Sequence, residues 1–196
     1  MITIFRTSVV LLAALALGAC DGKAPKFRST DITGADYGRA LALTDPLGQP
    51  RRLEDFRGKA VVLFFGFTHC PDVCPTTLAD MAQVMRKLGP LADRVQVLFV
   101  TLDPERDTQA ALAKYVPAFD PRFLGLRGDA EATHAAAREF KVYYEKRPGK
   151  TPGEYTIDHS AQTYVFDPQG RLRLFVRHER LATDLEPDLR TLLQGT

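Results

Sequence analysis

The sequence predicts an α/β fold in which a central mixed β-sheet is flanked by helices. Two continuous apolar runs rich in Val and Phe, at 61–67 and 95–103, are typical of strands that are buried on both faces. Each run precedes a segment with apolar residues at helical spacing, at 75–89 and 107–116. Strands that alternate with helices favour a mostly parallel sheet.

The later segments extend this pattern. A short strand at 123–128 is followed by a helix for which Asp129 is the predicted N-cap, as Asp107 is for the helix before it. The stretch 160–178 predicts a hairpin that turns at Asp167–Gly170 and adds an antiparallel edge to the sheet. A final helix closes the chain.

Length and charge limit the classes of function. The chain has 196 residues, enough for one domain and a short additional segment. It contains 26 Lys and Arg against 24 Asp and Glu, which gives a net charge of +2. A nearly balanced charge without a basic stripe gives no electrostatic reason to expect a nucleic-acid partner.

The first twenty residues have the features of a bacterial secretory signal. A start with one Arg and no acid precedes an apolar run over Thr7–Leu17, and small residues follow. The run is too short for a permanent membrane-spanning helix. The segment L-G-A-C that ends at Cys20 resembles the lipobox of bacterial lipoproteins. We therefore expect a signal peptide at 1–19 and lipidation of Cys20; the alternative is an ordinary Cys behind a signal or a short anchor.

Residues 20–36 are predicted to form a lipid-anchored tether, and residues 37–196 the folded domain. The tether is polar and contains scattered Gly and Pro. Asp21, directly after the Cys, resembles the signal that keeps lipoproteins at the inner membrane in some bacteria. The expected location is the periplasmic face of the bacterial inner membrane, where a pair of Cys residues can be oxidised.

Cys70 and Cys74, in the stretch GFTHCPDVCPTT at 66–77, are the principal candidate functional residues. They lie where a strand ends and a helix begins, and side chains four residues apart share one face of a helical turn. The start of a helix favours the thiolate, which is both the nucleophile and the metal-binding form. A structural disulfide would close only a small loop and would stabilise this domain poorly. Thiol–disulfide exchange and metal binding remain as functional interpretations.

The order of elements matches the thioredoxin-like fold, and by analogy this fold predicts a third ligand. Reductases with that fold have the spacing C-x-x-C, often behind a Trp, and a cis-proline before a later strand that faces the cysteines. This chain has the spacing C-x-x-x-C and no Trp. The corresponding stretch at 158–167 contains no Pro, and His159 lies near the start of the predicted strand. On this fold, His159 enters the space beside Cys70 and Cys74.

Two thiolates and one imidazole favour copper over other soft metals. Structural zinc needs four ligands and an iron–sulfur cluster needs four Cys-like ligands, whereas three are apparent here. Cu(I) accepts three ligands, and Cu(II) accepts this set with a further oxygen ligand. The predicted metal is therefore copper.

Three segments resemble the Sco/SenC family, thioredoxin-like proteins that deliver copper to the binuclear copper site of cytochrome c oxidase. They are GFTHCPDVCPTTLADM from Gly66, TLDPERDT at 101–108 and DHSAQTYVFDPQGR at 158–171. The resemblance covers nearly all of the chain from Tyr37 onward, and it implies that the metal ligands are Cys70, Cys74 and His159. Many relatives have a transmembrane helix where this chain has the lipobox-like segment.

The resemblance implies a metallochaperone that binds one copper ion, rather than an enzyme. The implied partner is subunit II of cytochrome c oxidase, together with a periplasmic copper donor and a thiol reductant that the sequence does not identify. One alternative is a thiol–disulfide oxidoreductase with a redox-active Cys70–Cys74 pair that keeps the oxidase cysteines reduced. Another is a copper or redox sensor.

Other polar residues are candidates for supporting roles or for none. Asp72, between the cysteines, and Asp103, after the second buried strand, are candidates to influence the ligands without binding the metal, or simply to form turns. His69 points to the opposite face from its neighbour Cys70 and is interpreted as a bystander. We interpret the remaining candidates as surface or packing residues: His134, His178, Met81 and Met85.

Overall fold

A computed structural model describes residues 25–194 of the protein. The predicted signal peptide at 1–19 and the predicted lipidation site Cys20 lie outside these residues. The strands are β1 (Thr30–Asp31), β2 (Ala42–Thr44), β3 (Pro50–Arg52), β4 (Ala60–Gly66), β5 (Val95–Thr101), β6 (Leu124–Leu126), β7 (Tyr144–Pro148), β8 (Tyr155–His159), β9 (Thr163–Phe166) and β10 (Leu172–Val176). The α-helices are α1 (Val73–Leu88), α2 (Gln109–Tyr115), α3 (Ala130–Glu139) and α4 (Leu181–Gln194).

The central sheet is mixed, as the sequence predicts, with the strand order β1-β10-β9-β4-β5-β6. Strands β4, β5 and β6 are parallel to one another. The pairs β4–β9, β9–β10 and β10–β1 are antiparallel. The predicted turn at Asp167–Gly170 joins β9 to β10. The pairs β2–β3 and β7–β8 form two separate two-stranded sheets. Within the described residues, no helix combines the length and apolar character that crossing a bilayer requires.

Side chains of β4 alternate between two apolar cores, one on each face of the sheet. Phe64 faces the core formed with α1 and α4, whereas Phe65 faces the core formed with α3. Successive side chains of a strand point to opposite faces, so an apolar strand must be covered on both sides. Met81 and Met85 are buried in the first core, which confirms their packing role.

The chain is docked on the domain from Phe27, inside the segment 20–36 that is predicted as a tether. Phe27 packs against the first core. The backbone N–H groups of Arg28 and Ser29 donate to the buried carboxylate of Asp188, at 2.7 and 2.9 Å. β1 then pairs with β10 at the edge of the sheet. Residues 27–36 are thus part of the fold, because an apolar side chain and an open strand edge hold this otherwise polar stretch.

Helix α2 begins one residue later than predicted. Its N-cap is Thr108, whose Oγ1 accepts a hydrogen bond from the N–H of Ala111 at 3.1 Å. Asp129 caps α3 as predicted and accepts from the N–H of Ala132 at 2.8 Å. The N-cap prediction for Asp107 is wrong, because tertiary contacts hold its carboxylate in the interior, where it is fully buried.

The segment between α3 and β9 forms the hairpin β7–β8. The two strands pair antiparallel, from Tyr144 opposite His159 to Pro148 opposite Tyr155. His159 is therefore the last residue of β8, and β9 begins only at Thr163. The prediction that His159 lies near the start of the later strand is corrected, since the hairpin and not the central sheet carries this residue.

Candidate metal centre

Three segments bring two sulfurs and one imidazole to the carboxyl end of β4. Cys70 lies in the loop after β4, Cys74 in the first turn of α1, and His159 at the end of β8. Their potential ligand atoms all lie within 4.8 Å of one another. The structure thus brings the three residues together in an arrangement that could hold a metal ion.

The two cysteines differ in exposure. Both are free thiols; Cys74 is fully buried, whereas Cys70 is partly exposed. The backbone N–H of Cys74 donates to Sγ of Cys70 at 3.4 Å. Cys70 is therefore the sulfur that an incoming molecule can reach, while Cys74 lies beneath it.

A hydrogen bond between the two thiols shifts their pKa values in opposite directions. The hydrogen bond from the Cys74 thiol lowers the pKa of Cys70 to about 3, against burial, which raises it, and with further lowering by His159 and by backbone N–H groups. The same hydrogen bond, together with burial, raises the pKa of Cys74. The lowered pKa favours the thiolate at Cys70, and the thiolate is both the nucleophile and the form that binds a soft metal.

The imidazole of His159 is oriented by contacts on several sides. Its Nδ1 lies 2.9 Å from the carbonyl oxygen of Ser160, so Nδ1–H donates there. With Nδ1 engaged in this way, Nε2 is the ring nitrogen that faces the sulfurs, 3.5 Å from Sγ of Cys74. The ring packs edge-to-face against Phe64 and Phe67. Donation of the second ring N–H to a carbonyl is a usual way to orient a metal-binding His.

Gly66 leaves room for the sulfur of Cys74. A Cβ added at this position would lie 2.8 Å from Sγ of Cys74 and 2.9 Å from Cε2 of Phe99. Sequence reasoning used Gly66 only as part of a motif and missed this requirement. A Gly inside an otherwise apolar strand was the available signal, since it often marks a close approach of other atoms.

The two acidic candidates have different environments. Asp72 is exposed at the N-cap of α1 without a side-chain capping bond, and its backbone N–H helps to lower the pKa of Cys70. Asp103 is fully buried and accepts hydrogen bonds from the hydroxyl of Tyr155 at 2.7 Å and from Nε of Arg106. Asp103 therefore contacts the hairpin that carries His159.

A second cluster of potential ligand atoms comprises His69, Asp103 and Asp107. The side chain of His69 is 54% exposed, and its Nδ1 lies 3.6 Å from the carboxylate of Asp107. That carboxylate accepts from the N–H of Thr68 at 3.0 Å and from the hydroxyls of Thr68 and Thr101, both at 2.6 Å. Because its oxygens are engaged, Asp107 anchors the segment before the cysteines, a role that sequence reasoning missed.

The remaining two histidines lie outside both clusters of potential ligands in the described part of the chain. His134 is exposed on α3, as expected. His178 is half-buried, and its Nδ1 lies 2.9 Å from the hydroxyl of Thr77 on α1. The prediction of a surface position for His178 is therefore only partly right, because α1 covers one side of the ring.

The fold and the site together define a class: a thioredoxin-like protein in which two Cys and one His form a centre suited to a soft metal. A sequence model of the family described as SCO1/SenC matches residues 29–194. The chain belongs to this family.

Named relatives and solved structures show how far the likeness extends. The chain is 44% identical over 152 residues to the mitochondrial SCO2 homolog of Mus musculus. The matched region covers 76% of this chain and 60% of that protein. It is 39% identical to the copper-bound structure of Bradyrhizobium japonicum ScoI, with a TM-score of 0.73, over 81% of this chain and 100% of that one. It is 43% identical to apo Sco1 from Thermus thermophilus, with a TM-score of 0.77, over 88% and 100% of the two chains. The chain spans about 60% of the length of the mouse SCO2 relative.

Proposed function

We propose that this chain is a copper chaperone that binds one copper ion through Cys70, Cys74 and His159 and helps to assemble the binuclear copper site of cytochrome c oxidase subunit II. The observation that carries the proposal is the convergence of two sulfurs and one imidazole nitrogen within 4.8 Å. Membership of the SCO1/SenC family, and the likeness to a relative solved with copper bound, support it.

The donor set suits Cu(I) best. Thiolates are soft donors, and with one imidazole they form a three-coordinate site, whereas Cu(II) requires a further oxygen ligand. A thiol loses its proton when it becomes a ligand, so copper uptake should release protons. Partial exposure of Cys70 offers a ligand of the partner a route to the ion, while Cys74 holds it from the interior.

A copper titration tests this function directly. The reduced protein should bind one equivalent of Cu(I), and the protein with a Cys70–Cys74 disulfide should bind none, because oxidation removes two of three donors. Anaerobic competition with a chromogenic Cu(I) chelator measures both states. A variant with both cysteines replaced by Ser is the control and should resemble the oxidised protein. Equal binding by reduced and oxidised protein would contradict the proposal.

Thiol–disulfide exchange is the second candidate function, favoured by the exposure and the lowered pKa of Cys70. The Cys70 thiolate would attack a disulfide of the partner and form a mixed disulfide. The Cys74 thiolate would then attack the Cys70 sulfur, which releases the partner as a dithiol and leaves a Cys70–Cys74 disulfide. This reaction would keep the oxidase cysteines reduced, and a periplasmic thiol reductant would restore the pair. A copper or redox sensor would use the same residues.

We further propose that residues 1–19 are removed and that a lipid on Cys20 holds the domain at the periplasmic face of the bacterial inner membrane. The lipobox-like segment that ends at Cys20 supports this arrangement. Several acyl chains on one residue would anchor the protein firmly, since a single chain binds a bilayer only marginally. In this location the chain would receive copper from a periplasmic donor.

Replacing Cys20 by Ser should abolish lipidation and leave the signal peptide attached. Cells fed with a labelled fatty acid should label the wild-type protein and the control variant Cys70→Ser, but not Cys20→Ser, because only Cys20 supplies the modified thiol. Label retained on Cys20→Ser, or absent from the wild type, would refute the lipid anchor.

A further inference from the structure

Arg106 connects the two segments that carry the candidate ligands. Its guanidinium carbon lies 3.6 Å from the ring centre of Tyr155 and 5.9 Å from that of Phe67. Phe67 directly follows β4 and precedes the cysteines, whereas Tyr155 begins β8, the strand that ends at His159. A single partly buried side chain thus lies between the thiol segment and the imidazole segment.

Hydrogen bonds link this guanidinium to Asp103 and to Tyr155. Nη1 of Arg106 donates to the carbonyl oxygen of Tyr155 at 2.8 Å, and Nε donates to the carboxylate of Asp103. The hydroxyl of Tyr155 donates to the other oxygen of the same carboxylate, at 2.7 Å. Asp103 is itself fixed, because its backbone N–H donates to the hydroxyl of Thr101 at 2.9 Å. We call the set Asp103, Arg106 and Tyr155 the latch.

The hairpin β7–β8 depends on such side-chain contacts for its position. It forms a sheet of its own and makes no ladder with the central sheet. Ile157 is buried in the first core and holds the middle of β8. The ion pair of Lys146 with Glu105, at 2.7 Å, is solvent-exposed on both sides, and such pairs contribute little. The latch differs from this pair because its carboxylate, Asp103, is fully buried, and charge-assisted hydrogen bonds are roughly twice as strong as neutral ones.

We propose that Arg106 is a positioning residue for His159: the latch holds hairpin β7–β8 so that the imidazole lies beside the two sulfurs, and opening of the latch withdraws the imidazole while the sulfurs stay in place. The sulfurs have a separate anchor, because the next residue, Asp107, holds Thr68 in the segment before them. Withdrawal of the imidazole would leave the cargo ion on two thiolates, with one coordination position open to a ligand of the partner. The inference rests on the proposed copper-binding function.

Amide hydrogen exchange of the metal-free protein tests the latch without copper. Arg106→Lys keeps the positive charge but loses the planar fork and the stacking on Tyr155. The backbone N–H of Ser160, which donates to the carbonyl of Tyr143, should exchange about 10- to 100-fold faster, because the hairpin opens more often. The N–H of Thr68, which Asp107 holds, should exchange as in the wild type.

Two further variants make this test specific. Arg122→Lys alters a similar Arg–Asp pair, with Asp120, in the loop before β6, at the amino ends of the parallel strands and so at the opposite end of the sheet from the candidate metal centre. It should leave exchange in the hairpin unchanged. Tyr155→Phe removes the hydroxyl bond to Asp103 but keeps the ring beneath Arg106, so its effect should be intermediate. Wild-type exchange at Ser160 in Arg106→Lys would overturn the proposal.

A double-mutant cycle tests whether Arg106 acts through His159. Arg106→Lys should lower Cu(I) affinity about 10- to 100-fold in the wild-type background, as loss of a group that orients a ligand does. In the His159→Ala background it should lower affinity less than about twofold, since the group it positions is gone. Equal losses in both backgrounds would overturn the proposal. If His159→Ala alone leaves Cu(I) affinity unchanged, the proposed ligand set fails, and the metal-free exchange experiment still decides the latch.

Discussion

The variant His159→Ala is expected to bind Cu(I) more than about 100-fold more weakly than the wild type and to fail in oxidase assembly. Its Cys70–Cys74 disulfide should form, and should be reducible, as in the wild type. His159 offers one of three converging donor atoms, so its loss should exceed the 10- to 100-fold typical of a group that only orients a ligand. Dithiol exchange depends on the thiolates and their accessibility, which the substitution leaves in place. The variant thus separates the two functions, which cysteine substitutions cannot do.

Three measurements on His159→Ala are needed together. They are chelator competition for Cu(I) affinity, the reduction potential of the Cys pair, and oxidase activity in a strain that lacks the wild-type protein. His134→Ala is the control for loss of a His outside the cluster of ligands, and because the His134 ring lies 6.4 Å from that of Tyr144 it also controls for altered packing of the hairpin. Full oxidase activity with His159→Ala would exclude delivery of copper through this residue and would make thiol exchange the better account.

The variant Gly66→Ala is expected to lower the free energy of unfolding by about 1–3 kcal/mol and to weaken copper binding at the same time. The added methyl group would lie 2.8 Å from Sγ of Cys74, 2.9 Å from Phe99 and 3.0 Å from Phe64. All three neighbours are fully buried, so the strand or the sulfur must move. Displacement of Sγ changes its distance from the other two donors, which couples the packing defect to the metal centre.

Gly125→Ala is the control that separates stability from copper binding. Gly125 also lies in the six-stranded sheet, in its edge strand β6, and its added Cβ would meet Leu112 and Val116, both at 3.2 Å, away from the cysteines. Urea denaturation should show that both variants lose stability, whereas chelator competition should show weaker copper binding only for Gly66→Ala. Wild-type stability and copper affinity in Gly66→Ala would contradict the packing described here.

The parts of the fold that could be predicted are those with local signals. β4 and β5 are continuous apolar runs, and such runs are the usual sequence of a strand that is buried on both faces. Asp129 caps α3 as predicted because a cap depends on residues within one turn. Cys70 and Cys74 are placed by their spacing at a strand–helix junction, but the location of His159 required the analogy with a known fold.

The parts that could not be predicted depend on contacts between distant residues. Asp107 and Thr108 are both good N-caps by type, and the bonds that hold Asp107 to Thr101 and to Thr68, 39 residues away, leave this role to Thr108. Arg106 and Tyr155 are 49 residues apart, and no periodicity or spacing relates them. Segment 27–36 has the composition of a linker, yet it is held by a buried carboxylate on α4.

β1 lies at the end of the sheet that carries the candidate metal centre, which would limit where copper could be exchanged by a domain with a lipid on Cys20. β1 pairs with β10, β10 pairs with β9, and β9 pairs with β4. In this register the carboxyl end of β10 is level with Phe64, close to the carboxyl end of β4. Three strand spacings, about 14 Å, separate β1 from β4. With the fold docked from Phe27, only residues 21–26 would separate it from a lipid on Cys20, and six residues extend over at most about 20 Å. A domain on so short a span cannot travel far from the bilayer, so a copper acceptor would have to present its own ligands close to the membrane surface.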